Sequence, residues 1–409
     1  MKLVWLHIFK CGHQACEVSE VSGNNFDKWK LVAQHFRTWI ILPFHHSIDL
    51  VPLGMEKVCK VSSVLASDSG DEGFTHNAFK SISTITGVIA VLAGGVGAAR
   101  FLRGLMLVAE PQRITSLVNT GDDTVLHGLH ISPDLDTVTY TLAGAIDPDR
   151  GWGLENETWV AMGALSRYAT NRPPHSHAAP TWFNLGDKDL ATHFYRTARL
   201  AEGATLAQVT SEIAQAWGLD IHLVPMTNDS VQTVITLVED CEAGTAGTEI
   251  SFQEYFVKHH HSVAASAVKF VGSAEAKPNG LDILTSADSI VIAPSNPLVS
   301  IAPIRSLAGV DSILAKRRDS VCAISPIVNG AALKGPADRL MIELGHEPSV
   351  VGVAKIYAPI CGTLIIDNAD AHLVSAVEAQ GMRCIVTDTI MKSPEVSAAL
   401  ARTALEATR

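Results

Sequence analysis

Six short apolar runs, each closed by glycine or small polar residues, organise the chain from residue 88 onward. They are VIAVLA (88–93), ITSLVNT (114–120), SIVIAPSNP (289–297), SVCAISPIV (320–328), TLIIDNAD (363–370) and RCIVTDTIM (383–391). Runs of this length, rich in β-branched residues and without polar alternation, predict strands buried on both faces. Such strands belong to a parallel sheet covered by helices. AARFLRGLMLVA, directly after the first run, and DTVTYTLAGAI (136–146) carry helical spacing instead. Strand, glycine turn and helix therefore follow in order. The expected fold is α/β, Rossmann-like and doubly wound, with a mainly parallel sheet. Residues 150–285 are more polar and hold most of the Trp and Tyr. They are read as a helical insertion over the sheet's ligand edge, within one domain spanning 86–409.

Residues 1–85 lack a clean period and are rich in His, Cys, Lys and Trp. They run into a polar linker, SDSGDEGFTHN (67–77). They read as an N-terminal extension, with a misassigned start codon as the alternative. Cys11, His13 and Cys16 have no matched second pair, so no metal site is expected there. The opening apolar run is about seven residues long and ends at Lys10, too short for a secretory leader.

The chain has 409 residues, 47% of them hydrophobic, enough for one large domain or two unequal ones. Lys and Arg number 31 against 42 Asp and Glu, a formal charge of −11. That balance opposes a nucleic-acid partner, whose phosphates need clustered cations. Mean hydropathy is +0.20, yet no stretch reaches the roughly 20 apolar residues of a spanning helix. No membrane partner is expected. Seven scattered cysteines without a CxxC pair suit a reducing compartment, hence the cytoplasm.

Within this frame two loops carry chemistry. LAGGVGAARFL places Gly94, Gly95 and Gly97 at a strand-to-helix turn, where backbone N–H groups and a helix N-terminus receive an anion. The spacing is neither the dinucleotide fingerprint nor a Walker loop. VNTGDDTVLHGLHISPDLDTV (118–138) then puts Asp122, Asp123, Asp134 and Asp136 within fifteen positions. Asn119 and Asp122 should sit at a strand's carboxyl end, where open α/β sheets bind ligands. Hard carboxylate oxygens beside a phosphate seat suit Mg²⁺, which bridges to substrate phosphates. Either Asp134 or Asp136 alone would read as a helix cap. Later, WFNLGDKDLATHFYR (182–196) offers Lys188 among acids; PSNP offers Ser295, Asn296 and Pro297; SPIVNGAALKGPAD offers Ser325. The histidines of KHHHS (258–262) read as exposed, since adjacent positions cannot face one ion.

GGVGAARFLRGL, NTGDD, SPDLDT, DPDRGWGLENETW, LGDKDLATH, PSNPLVSIAPI and ISPIVNGAALKGPAD, in this order, resemble the 2-phospho-L-lactate transferase family of coenzyme F420 biosynthesis. The resemblance spans about residue 87 to the C-terminus. It implies Mg²⁺-dependent transfer of a 2-phospholactyl or enolpyruvyl phosphate group from a guanosine-diphosphate-linked donor to the deazaflavin alcohol Fo, with release of GMP. It implies Asp122 and Asp134 as metal ligands, and Asp136 and Lys188 as contacts to Fo, with Asp136 orienting or deprotonating the acceptor hydroxyl. The glycine loop, PSNP and Ser325 would hold the guanosine diphosphate, and a homodimer is expected. Many members carry Arg at the position of Lys188. Two other readings compete: a non-catalytic nucleotide-sugar-binding regulator of a related family, and an NAD-dependent oxidoreductase with Asp122 near the ribose-binding position.

Overall fold

The computed structural model describes residues 87–409 apart from 177, together with two short strands, Trp5–Leu6 and Glu20–Val21, paired antiparallel. The chain divides into two compact units, Met1–Ile82 and Ser83–Arg409. The expected linker at 67–77 and the residues Cys11, His13 and Cys16 lie outside the described residues.

The larger unit is built on a seven-stranded sheet. In chain order its strands are β1 (Ile89–Ala93), β2 (Ile114–Val118), β3 (His222–Pro225), β4 (Ser289–Ile292), β5 (Val321–Ile324), β6 (Thr363–Asp367) and β7 (Arg383–Thr387). Their spatial order is 3-2-1-4-5-6-7, and every neighbouring pair is parallel. This is the doubly wound order, extended by one strand. Successive residues of β1 feed two different cores, Ala90 and Leu92 on one face, Ile89, Val91 and Ala93 on the other. An apolar run without alternation is what burial on both faces requires.

Three helices are used below to place the site. α1 (Val96–Leu105) follows β1, α2 (Pro133–Leu142) follows a short hairpin after β2, and the C-terminal helix Pro394–Ala407 packs beside α1. The expected helix at 136–146 starts one turn earlier, at Pro133. Contact between α1 and the C-terminal helix depends on Gly104, because a Cβ there would lie 2.5 Å from Ser397 Cβ. Gly104→Ala should therefore destabilise the unit by about 1–3 kcal/mol through overpacking. Chemical denaturation would show this as a lowered midpoint with unchanged slope.

Residues 150–285 are not wholly helical. They hold α3 (Val160–Ala169), α4 (Asp189–Ala201) and α5 (Leu206–Ala216), but also β3 of the central sheet. A separate antiparallel sheet follows, with Gln232–Leu237 between Glu249–Ser251 and Ala265–Val271. The physical reason lies in Gln232–Leu237, whose Thr233, Ile235 and Leu237 alternate inward on a period of two. Among the described residues no single helix is long and apolar enough to cross a membrane.

Candidate active site

The sheet order reverses between β1 and β4, so the loops leaving these strands flank a crevice at their carboxyl ends. One is the glycine loop, the other Pro294–Pro297. They touch. A Cβ on Gly97 would lie 2.0 Å from the Pro294 carbonyl oxygen, and the Ser295 hydroxyl accepts a hydrogen bond from the Gly94 N–H at 3.2 Å. Asn296 caps the following turn by accepting from the Leu298 N–H at 2.9 Å, while its buried Nδ2 has no protein partner. Pro297 is buried behind it. Ser325 is less available than expected, because its hydroxyl donates to the Ile327 carbonyl at 3.0 Å and accepts from the Ile327 N–H at 3.1 Å.

β2 delivers the acidic stretch to the same end of the sheet. Asn119 is fully buried and works in two directions: Oδ1 accepts from the Gly121 N–H and Nδ2 donates to Asp134 Oδ2, both at 2.9 Å. The fold thus joins NTGDD to the first turn of α2. Asp134 also abuts the glycine loop, since a Cβ on Gly95 would stand 2.5 Å from its Oδ1. Burial of Asp122 and Asp134 raises both carboxyls. Asp134 is pushed up to about 6, held back by its bond from Asn119. Asp122 lies well above the usual range, through burial first and then the charge of Asp134, lessened by neighbouring Thr233 and Asn119. Asp122 Oδ1 is buried without a hydrogen-bond partner, and among the described residues no Lys or Arg pairs with either acid.

Thr233 and Gln253 were not visible as site residues in the sequence. Both belong to the antiparallel sheet region: the Thr233 N–H donates to the Gly121 carbonyl at 2.7 Å, and Gln253 Nε2 donates to the Asp122 carbonyl at 3.1 Å. These bonds hold the acidic loop from the side opposite α2.

The other two acids of the stretch are already engaged. Asp123 accepts a 2.6 Å bond from Ser132 Oγ, and burial raises its carboxyl well above the ordinary value. Asp136 is only 5% exposed and is gripped by both terminal nitrogens of Arg196, itself 2% exposed. His193 extends the cluster, 3.8 Å from Asp136 and 3.3 Å from Asp189; Tyr140 donates its hydroxyl to Asp189 and accepts from the Thr192 hydroxyl at 2.8 Å. Asp136 is thus committed to Arg196 in a two-pronged, charge-assisted pair. Asp136, Asp189 and His193 could by their spacing hold a metal, but the Arg196 guanidinium within the cluster opposes a second cation.

The GDKD segment has a clear structural task. Asp187 accepts from the Val160 and Ala161 N–H groups at 2.9 and 3.0 Å, capping α3, while Glu157 accepts from the Lys188 N–H at 2.7 Å and the Asp189 N–H at 3.3 Å, capping α4. The hydroxyl of Thr158 and these two N–H groups hold the Asp187 carboxyl below its usual range. Each segment closes the other's helix. Lys188 is exposed, with Nζ donating to the Glu155 carbonyl at 3.0 Å.

Residues 89–404 match the family model described as 2-phospho-L-lactate transferase CofD. A phosphoenolpyruvate transferase of Kitasatospora aureofaciens is 41% identical over 321 residues, covering 78% of this chain and 96% of that protein. The phosphoenolpyruvate transferase of Mycolicibacterium smegmatis is 35% identical over 329 residues, covering 78% and 98%. The crystal structure of a Bacillus halodurans protein gives a TM-score of 0.48 at 15% identity, over 78% of this chain and 98% of that one. The match to the family model covers most of the central sheet and both loops of the crevice, and on that ground the chain belongs to the 2-phospho-L-lactate transferase family.

Proposed function

We propose that this protein transfers a phospho-acid group from a guanosine-diphosphate-linked donor to the alcohol of Fo, releasing GMP, in coenzyme F420 biosynthesis. The single observation that carries the reading is the pair of Asp122, buried, and Asp134, half-buried and set against Gly95, neither paired with a cation among the described residues. Two hard carboxylates in that position fit Mg²⁺. The ion would be held by Asp122 and Asp134, and when bound would neutralise charge on the donor's diphosphate. The names of the curated relatives favour enolpyruvyl phosphate over 2-phospholactate as the transferred group.

The chain's own residues then have defined tasks. Backbone amides of Gly95 and Gly97 and the N-terminus of α1 receive phosphate oxygens, while the Gly94 N–H ties the loop to Ser295. Asn296 Nδ2 is a free buried donor facing the same loop pair. Asn119 fixes Asp134, and Thr233 with Gln253 fix the backbone around Asp122. In the reaction the acceptor hydroxyl oxygen bonds to phosphorus, the bond to the bridging oxygen of GMP breaks, GMP leaves with the electron pair, and the hydroxyl proton is released. Such transfer is carried chiefly by positioning and charge neutralisation. The homodimer and cytoplasmic location implied by the resemblance accompany this proposal.

The direct test incubates purified protein with Fo, Mg²⁺ and either guanylylated donor, following deazaflavin product by mass. Product with the enolpyruvyl donor, and less with the phospholactyl donor, is expected. No product from either donor would end the proposal.

A pH signature should accompany metal binding. Because the folded-state value for Asp134 is raised, from 3.8 to about 6, the folded protein holds that proton more tightly than the unfolded chain. The stabilisation is complete below about pH 4 and is lost as pH rises through about 6. Mg²⁺ must displace the same proton, so millimolar Mg²⁺ should leave Tm nearly unchanged at about pH 5 and raise it by several degrees at about pH 7.5. A thermal shift of equal size at both pH values would contradict a buried carboxylate site.

A further inference from the structure

A second cluster of charge lies along α1, next to the glycine loop. The outer face of α1 presents Val96, Arg100 and Arg103, spaced four and three residues apart so that they share one side of the helix. With Thr141 at the end of α2, the loop Ile146–Gly151, and Met391 and Lys392, they line a cavity of about 210 Å³. None of the acids Asp122, Asp123, Asp134 or Asp136 lines it. The cavity is larger than the roughly 150 Å³ that accepts benzene in an engineered protein.

Its charge is uncompensated. Three cations converge in a chain whose formal charge is −11. Among the described residues neither guanidinium makes a hydrogen bond or ion pair, and Arg103 Nε is buried without a partner. The one acid in the wall, Asp147, is already taken: it pairs with Arg150 at 2.9 Å and accepts from the N–H groups of Asp149 and Arg150. Lys392 helps lower the Asp367 carboxyl, but that group is held by Ala369 and Thr389. Lys334 Nζ lies 2.6 Å from where a Cβ on Gly151 would stand, adding a fourth cation at the rim. Arg100 and Arg103 are half-buried while Lys392 and Lys334 are exposed, and two half-buried guanidiniums side by side without an acid partner repel unless an anion joins them.

We propose that this pocket is a second anion site, binding a small phosphate-bearing molecule through the guanidinium forks of Arg100 and Arg103 and the ammonium of Lys392. Arginine matches phosphate geometry with two parallel N–H donors, so a phosphate group is favoured over a lone carboxylate. Its three cations are not among the residues assigned to the transfer reaction, although Val96 in its wall lies within the glycine loop.

Isothermal titration of the full-length protein, without Mg²⁺ and in chloride buffer of matched ionic strength, tests this with inorganic phosphate and phosphoenolpyruvate as probes. Saturable binding at one site is expected, weakened about tenfold by Arg103→Gln and by Arg100→Gln. Arg103→Lys, which keeps the charge but loses the fork, should fall between. Tm without phosphate shows whether each variant is folded, and if one is not, the other carries the test. Phosphoenolpyruvate binding tenfold or more tighter than phosphate would assign the site to a phosphorylated acid; equal binding would assign it to the free ion. The proposal is overturned if the wild-type protein binds neither probe. It is overturned equally if Asn296→Ala weakens phosphate while both glutamine variants leave it unchanged, which would place the anion on the glycine loop.

Discussion

Asp134→Asn is expected to lower kcat by about two to four orders of magnitude, the scale of losing several kcal/mol of charge stabilisation in the transition state. The fold should survive the change. Asparagine keeps the shape, can still accept from Asn119 Nδ2, and removes a buried charge whose proton affinity is already raised by burial. Tm measured without metal should be unchanged or higher at about pH 7.5, because the repulsion between Asp122 and Asp134 disappears. The Mg²⁺-induced rise in Tm should vanish with the activity. Asp122→Asn is expected to behave alike. Steady-state kinetics together with metal titration decide the matter: near-normal turnover with an intact Mg²⁺ response would show that this pair holds no ion.

Arg196→Met should have the largest effect on stability. It leaves Asp136 buried without its cation, and breaking one side of a buried pair costs about 3–5 kcal/mol. For a unit of this size the loss corresponds to a drop in Tm on the order of 10 °C. The double variant Arg196→Met with Asp136→Leu should recover much of it, because well-packed apolar residues replace buried ion pairs at little net loss. The same geometry separates two roles for Asp136. Were it an exposed base, Asp136→Asn would depress kcat and leave Tm alone. As the partner of Arg196, it should lower Tm along with any fall in rate, and a denaturation curve on the purified variant distinguishes the outcomes.

Six strands of the central sheet were legible as solid apolar runs, a property of each segment by itself, whereas the edge strand β3, with His222 exposed, was not. The glycine turn and the acids were legible for the same reason: residue type and strand end suffice to place them at one rim. What remained hidden depends on partners distant in the chain. Arg196 meets Asp136 across sixty positions, and Gln253 meets the Asp122 carbonyl across 131. No periodicity announces such pairs. GDKD shows the limit in another form, since the resemblance points to Lys188 there, whereas its neighbour Asp187 caps a helix that begins at Val160, which no local pattern announces. The antiparallel sheet was missed for a different reason. Its inward residues Thr233, Ile235 and Leu237 are interleaved with Gln232, Val234 and Thr236, so polar positions interrupt the strand and a search for solid apolar runs passes over it.

Gly97 has a consequence for how this crevice can change over time. The two walls meet where a hydrogen atom, rather than a methyl group, faces the Pro294 carbonyl at a distance no side chain could tolerate. The gap is therefore fixed by an absence, and absences cannot be adjusted in small steps. Variation in what enters has to arise from the movable furniture around that seam, such as Asn296, Thr233 or Gln253, while the seam itself stays as it is.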